Sequence, residues 1–386
     1  MKIFTRLGLT CFGGPVAHLA YFRTELVERR RWLTDRAYAD LVGLCQFLPG
    51  PASSKLGFSL GLMRAGYPGA FAAWLGFTAP SAILMLLFAY GAGALSDTAA
   101  GQALLHGLKL VALVIVAQAV WAMARTLCPD RTRASMAVAA AAVVLLAPAS
   151  IGQVAAIALG ALLGLKFCRD LDGSIPEALH FPVSRATGTV AFVVFVLLLA
   201  VSFWPLGDSL VALFNAFYRS GALVFGGGHV VLPLLSEAVV APGWVSQESF
   251  LAGYGAAQAL PGPLFSFAAY LGAVASGPGG GIVGASIALV AIFLPGFLLH
   301  VAALPYWNTL RSRSSAQAAM RGINAAVVGL LAAALYEPVW TSAVLTSADF
   351  ALALASFILL TVWRAPVLLV VLLTVLAGTA AALFAT

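Results

Sequence analysis

Apolar stretches of roughly 18 or more residues, the length a helix needs to cross hydrocarbon, recur from one end of this chain to the other. They make the bilayer the solvent for most of the sequence. Of 386 residues, 62% are hydrophobic and 9% charged, against roughly 45–50% and about 25% in a soluble domain, and mean hydropathy is +0.99. A soluble globule, a disordered chain and a secreted disulfide scaffold are excluded. Cys11, Cys45, Cys128 and Cys168 form no Cys-x-x-Cys pair, so they read as small packing residues rather than a zinc site or bridge framework. The net charge of +7 reads as loop Lys and Arg rather than a nucleic-acid surface. Met1-Lys2-Ile3-Phe4 shows none of the pattern of a removable signal.

Residues 3–12 form a short apolar segment stopped at Gly13-Gly14-Pro15; 16–26 follow, then the charged run Glu28-Arg29-Arg30-Arg31, an interfacial anchor. Thr34 and Asp35 suit a helix cap, and that helix runs to Leu48, where Pro49-Gly50-Pro51 interrupts it. Residues 52–63 read as a second short helix, and neither half reaches the roughly 20 residues a crossing needs. Longer candidates lie at 68–94, 107–127, 135–148 and 152–167. A polar linker, 168–185, divides the chain ahead of one apolar span, 187–205, that holds no charged residue.

The second half repeats the first. Phe4-x-Arg6-x-Gly8-x-x-x-Phe12-Gly13-Gly14 recurs as Phe217-x-Arg219-x-Gly221-x-x-x-Phe225-Gly226-Gly227, at an offset of 213. Gln46-x-Leu48-Pro49-Gly50-Pro51-x-x-Ser54 recurs as Gln258-x-Leu260-Pro261-Gly262-Pro263-x-x-Ser266, at 212, as does Trp32 in Trp244. Pro80 and Gly107 find Pro295 and Gly322 at 215. Loop charge then orients the copies. Residues 15–36 carry Arg23, Arg29, Arg30, Arg31 and Arg36, whereas 228–248 carry no Lys or Arg; 91–106 have none, whereas 306–321 carry Arg311, Arg313 and Arg321. Arg125, Arg131 and Arg133 likewise face a segment, 336–349, with none. By the positive-inside rule each loop is cytoplasmic in one copy and external in the other. The expected fold is an all-α polytopic membrane protein of two inverted-topology repeats with broken or re-entrant helices, joined by an extra transmembrane span. Residues 1–168 form the first repeat, 169–206 the linker and connecting span, and 207–386 the second repeat. Inverted repeats are a recurring plan of secondary transporters, with the site at the midplane where broken helices meet.

Irregular backbone is tolerated in a membrane only when buried in protein or lining a cavity, so 34–66 and 246–276 read as re-entrant hairpins or broken helices entering from opposite faces. Pro51 and Pro263 suit first helical positions, and each new N-terminus offers free N–H groups and partial positive charge. Ser53, Ser54 and Ser266 add hydroxyls, and the expected cargo is an anion. Gly13, Gly14, Gly226 and Gly227 permit close backbone approach to a ligand, though helix packing explains them as well. An intramembrane charge is a functional candidate, which selects Arg219 and Lys55; Arg6 and Arg64 are charge-coupling candidates that snorkelling also explains. His18 and His229 follow the glycines and line a pore or pack ordinary helices. Asp40, with Ala252 at its repeat position, carries a coupling proton or pairs with Lys55 or Arg64. Gln46, Gln258, Gly50 and Gly262 complete the candidate binding set. No paired-carboxylate set, metal-spaced His cluster, Walker A loop or Rossmann loop is present, so no metal or cofactor is expected.

Phe12-Gly13-Gly14-Pro15, Tyr21-Phe22-Arg23, Glu25-Leu26-Val27, Arg30-Arg31-Trp32 and the run from Tyr38 through Ser54, with Phe225 to Leu235 and Gln258 to Phe265, resemble the chromate ion transporter (CHR) family in its long two-domain form. The resemblance covers essentially the whole chain. It implies a multi-pass protein of the bacterial inner membrane that exports chromate and confers resistance to it, with sulfate as the chemically similar anion and a homodimer compatible with the pattern. Chromate and sulfate are tetrahedral oxyanions whose water shell helix N-termini, serines and the two glutamines can replace, with a nearby Arg or Lys offsetting charge. A sulfate or other oxyanion transporter is the alternative in the same class; a membrane-embedded chromate reductase is disfavoured because flavin, haem and nicotinamide signatures are missing. If the copies are inverted, Arg30→Cys and Gly243→Cys will react with an impermeant thiol reagent from opposite faces of the membrane. Labelling of both from one face removes the inversion.

Overall fold

The computed structural model describes all residues except 13, 97, 148, 169–180, 205, 206, 208, 226, 227, 278, 311, 312, 385 and 386. The candidates Gly13, Gly226 and Gly227 and most of the polar linker lie outside the described residues. Among the described residues the chain is helical throughout and holds no strand. Four helices are long and apolar enough to cross a membrane, Ala52–Gly91, Gly101–Leu127, Gly281–Tyr306 and Ser314–Ala343. Shorter apolar helices, among them Gly152–Phe167, Arg185–Val201 and Val367–Ala380, complete an all-α polytopic membrane architecture.

Most expected elements are present, with local corrections. Thr34 caps helix Asp35–Phe47 by accepting the Ala37 N–H at 3.1 Å. The helix after the first break is continuous in hydrogen bonding from Ala52 to Ser96 but leaves helical geometry at Ala65 and Gly66, which separates 52–64 from 67–96 as the sequence leads one to expect. Pro51 stands one position earlier than expected. Its carbonyl accepts the Lys55 N–H at 3.0 Å, which makes it the residue before the first turn rather than within it. Pro263 opens onto a tight 3-10 turn, Leu264–Ser266, before helix Phe267–Val274, so the second copy starts with a narrower turn than the first. The segment read as 16–26 followed by a charged loop is instead helical from Gly14 to Phe22 and continues as a π-helix, Arg23–Arg29. A second π-helix, Ser236–Val240, lies at the corresponding place in the second half.

Residues paired by the sequence repeat make matching contacts. Helix Lys2–Thr10 lies so close to the long helix beside it that a Cβ on Gly8 would sit 2.6 Å from the Phe77 carbonyl oxygen. Helix Leu210–Ala222 meets helix Gly281–Ala303 in the same way, Gly221 against the Ile292 carbonyl. The halves are not two separate packed bodies, however. Helix Ser314–Ala334 of the second half packs between Arg131–Leu146 and Ala149–Phe167 of the first, and Val367–Phe384 and Gln247–Ala259 pack on Ala99–Leu127. One hydrophobic core accordingly joins Leu110–Val116 to Leu213, Tyr254, Phe267, Leu331 and Val371. Connecting helix Arg185–Val201 rests on Gly281–Ala303 and leaves Val190, Phe192 and Leu197 exposed, as a lipid-facing surface does.

The two interrupted segments differ in position. Phe250 through Ala257 are all buried, because helix Gln247–Ala259 is enclosed by neighbours, whereas Ala39, Gly43 and Gln46 form an exposed stripe along helix Asp35–Phe47. Their spacing of four and then three residues places them on one face of that helix. Gly8→Ala and Gly221→Ala are expected to destabilise the detergent-solubilised protein by about 1–3 kcal/mol each, the usual cost of forcing a methyl into a packed contact. Gly43, with open space where its Cβ would point, is the control, and Gly43→Ala should leave the thermal midpoint unchanged or raised.

Candidate functional site

Each Pro-Gly-Pro break is held by the other half of the chain. The Gly50 N–H donates to the Val224 carbonyl at 2.7 Å, and the Gly262 N–H donates to the Cys11 carbonyl at 2.9 Å. Val224 and Cys11 are themselves repeat partners at offset 213, each lying just before a Phe-Gly-Gly motif. The bonds are therefore one interaction made twice. Both glycines have positive φ, 97° and 99°, a region where a side chain costs about 1–2 kcal/mol. Both are also hemmed in: a Cβ on Gly50 would lie 2.9 Å from the Gly296 Cα, and one on Gly262 would lie 2.7 Å from Ser81 Oγ. Gly296 and Ser81 follow the matched prolines Pro295 and Pro80.

Behind the first break lies a buried lysine amine. Lys55 is fully buried, and its Nζ reaches back to donate to the carbonyls of Leu48 at 2.6 Å and Pro49 at 2.9 Å. The Leu48 carbonyl belongs to the residue that ends helix Asp35–Phe47, at its negative end, and the Pro49 carbonyl to the break just beyond it, so the amine ties the end of one helix to the first turns of the next. Its electrostatic neighbours among the described residues are Cys45 and His300. His300, also fully buried, bonds Ser59 through Nε2. In the same first turn Ser53 and Ser54 are buried; Ser53 Oγ lies 3.4 Å from His18 Nδ1. Ser54 Oγ, His18 Nε2 and His300 Nδ1 are buried with no hydrogen-bond partner among the described residues. Desolvated polar atoms of this kind cost about 1–3 kcal/mol each unless something meets them. In the second half Ser266 is buried, Gln258 Nε2 has no partner among the described residues, and His229 Nδ1 lies 2.8 Å from the Tyr254 hydroxyl with Nε2 turned toward Gly14.

The family described as "Chromate transporter" matches residues 1–165 and 211–379 of this sequence. The chain belongs to the chromate transporter family. The chromate transport protein of Pseudomonas aeruginosa is 29% identical over 346 residues, covering 86% of this chain and 78% of that protein. That of Cupriavidus metallidurans is 26% identical, over 86% of this chain and 80% of its own length. An uncharacterized transporter of Methanocaldococcus jannaschii is 25% identical, over 86% and 81%. No solved structure matches the chain. Members of this family are transport proteins rather than enzymes.

In this chromate transporter family member the sequence candidates divide by place. Gly14, His18, Gly50, Ser53, Ser54, Lys55, His229, Gln258, Gly262 and Ser266 lie on the turns and the adjoining helical segments that flank the crossed breaks. Gln46 does not join them; its side chain is exposed on the outer stripe of its helix. Asp40 accepts from Trp307 Nε1 at 3.3 Å, while Lys55, its proposed partner, is occupied by carbonyls. Arg64 stacks over Trp32, 4.9 Å from the ring centroid, at the exposed end of its helix. Arg219 donates to the Ser202 carbonyl at 3.1 Å, stacks on Phe203 and borders a cavity of its own. Sequence reading passed over His300 and Ser59, which follow from no repeat position, and Glu25 and Glu237, which do at offset 212. Gly262→Ala should lower the thermal midpoint, and adding Ser81→Gly should recover the part due to crowding. The same second substitution should do nothing for Gly50→Ala, whose obstacle is backbone.

Proposed function

We propose that the protein is a secondary carrier of the bacterial inner membrane that exports chromate from the cytoplasm and thereby confers chromate resistance. The observation that carries this reading is Lys55, a fully buried amine at a helix break whose electrostatic neighbours among the described residues are Cys45 and His300. Burying a charge carries an effective penalty of several kcal/mol that partners must offset. Two carbonyls and a helix C-terminus offset part of it, and what remains favours an anion over any other guest. The adjoining first turn supplies N–H groups at the positive end of helix 52–64. Ser54 Oγ is a further buried polar atom with no partner among the described residues. A tetrahedral dianion, which accepts hydrogen bonds at every oxygen, suits that set.

Chromate is the cargo named for the relatives from Pseudomonas aeruginosa and Cupriavidus metallidurans. Sulfate, with the same shape and charge, is the second reading of the site. The transport step is alternating access between the inverted halves, with the paired bonds at Gly50 and Gly262 as the point about which they rock. Outward movement needs little added coupling, since a negative-inside potential favours it by about 2.3 kcal/mol per charge per 100 mV.

Uptake of labelled chromate by everted membrane vesicles tests the reading. Wild-type protein should accumulate it with total Cr(VI) conserved, and excess sulfate should compete. Lys55→Met should reduce initial uptake more than tenfold at equal amounts of inserted protein. Ser54→Ala, which removes a hydroxyl that no described protein group uses, should reduce it at least threefold while leaving thermal stability intact. Falling total Cr(VI) would mean reduction instead of transport, and undiminished flux in both variants would take the site away from this break.

A further inference from the structure

Two cavities flank the crossing, and repeat-matched residues line them. The first, about 480 Å³, is bordered by Arg6, Thr10, Thr24, Glu25 and Arg29 among smaller apolar residues. The second, about 560 Å³, is bordered by Arg219, Leu223, Glu237 and Gln153. Both volumes fall within the range of small-molecule sites. Arg6 and Arg219 pair at offset 213, and Thr24-Glu25 and Ser236-Glu237 pair at 212. In each cavity the carboxylate comes from a π-helix, an irregularity frequent at functional sites, and lies within electrostatic range of its arginine. Each arginine stands five residues before the carbonyl that receives the opposite break, Cys11 or Val224. At 1.5 Å per helical residue that is about 7.5 Å along the chain. An anion held at either arginine is one short step from the crossing.

The cavities differ in charge. The first sets Arg6 and Arg29 against Glu25, and Glu25 is already engaged by Arg30 at 2.8 Å and Arg29 at 3.4 Å. Hydrogen bonding from Arg30 above all holds that carboxyl below the usual carboxylate range, so it stays ionised and paired. The second sets Arg219 alone against Glu237, and the guanidinium is further occupied by the Ser202 carbonyl. One mouth is thus cationic and the other balanced.

We propose that the Arg6–Arg29 cavity is the capture site for the oxyanion and the Arg219–Glu237 cavity its release site, the surplus guanidinium at one mouth and the carboxylate at the other giving the carrier its direction. The proposal rests on the export reading above and on a cytoplasmic place for the arginine-rich segment 23–36. A dianion is drawn to the mouth with excess positive charge and crosses at the breaks. It then meets an arginine whose charge is already matched, so it is held weakly and leaves.

Kinetics of chromate uptake by everted vesicles, whose cytoplasmic mouth faces the medium, test it. Arg6→Gln and Arg29→Gln should each raise KM at least fivefold with the maximal rate changed less than twofold, and Arg6→Lys should restore most of the affinity. Glu237→Gln leaves Arg219 unbalanced, so it should lower the maximal rate at least threefold without raising KM. Right-side-out vesicles should show the same Glu237→Gln variant with a lower KM for entry. Unchanged KM in both arginine variants, alongside normal wild-type flux, overturns the capture site; an unchanged maximal rate in Glu237→Gln overturns the release site. Absence of flux in the wild type would instead sink the export reading, so the two failures are distinguishable.

Discussion

Unpaired backbone at membrane depth has to find partners within the protein, and this molecule meets that demand by having each half complete the other. The Pro-Gly-Pro turn of one copy donates its glycine N–H to the carbonyl that precedes the glycine motif of the other copy, and the reverse bond is made as well. Removing either half would leave the break in the other with an orphaned donor, at a cost of about 1–3 kcal/mol per group. Interlocking of the longer helices, such as Ser314–Ala334 against Arg131–Leu146 and Ala149–Phe167, serves the same end on a larger scale.

Symmetry in the backbone contrasts with asymmetry in the charge laid upon it. Lys55 stands where its repeat partner is Phe267, and both are fully buried. The first break therefore carries a lysine amine and the second an aromatic ring packed against Phe250 and Tyr254. The same division recurs at the mouths, two arginines bordering one cavity and a single arginine facing a carboxylate in the other. The duplicated backbone thus carries unequal side chains at its two breaks and around its two cavities.

Much of the scaffold was legible beforehand because it depends on local chemistry. The cap at Thr34, the interruption at Pro49-Gly50-Pro51 and the kink near Gly66 follow from residues that hold the same backbone preferences in any setting. The binding candidates were legible in part. Residues adjoining the breaks were found because the repeat marks them, but Gln46 and Gln258 look equivalent in the sequence and are not in space. One lies on an exposed stripe and the other on an enclosed helix, since burial depends on which neighbours the remaining helices supply. Arg219 shows the same limit: a cation in an apolar segment is conspicuous, yet its cavity, its hold on Ser202 and its facing Glu237 are long-range contacts.

What the amino-acid order determined by itself was the solvent, the duplication and the alternation of loop charge, because hydropathy, motif spacing and Arg placement are properties of the chain read linearly. Only the tertiary structure decided that the two glycine turns bond to opposite halves, that Lys55 turns back onto the carbonyls of the helix before it, and that the matched arginines border separate cavities. The two glycine bonds join groups 174 and 251 residues apart. No local preference selects among such partners; the choice falls to packing that must satisfy every buried donor and acceptor at once.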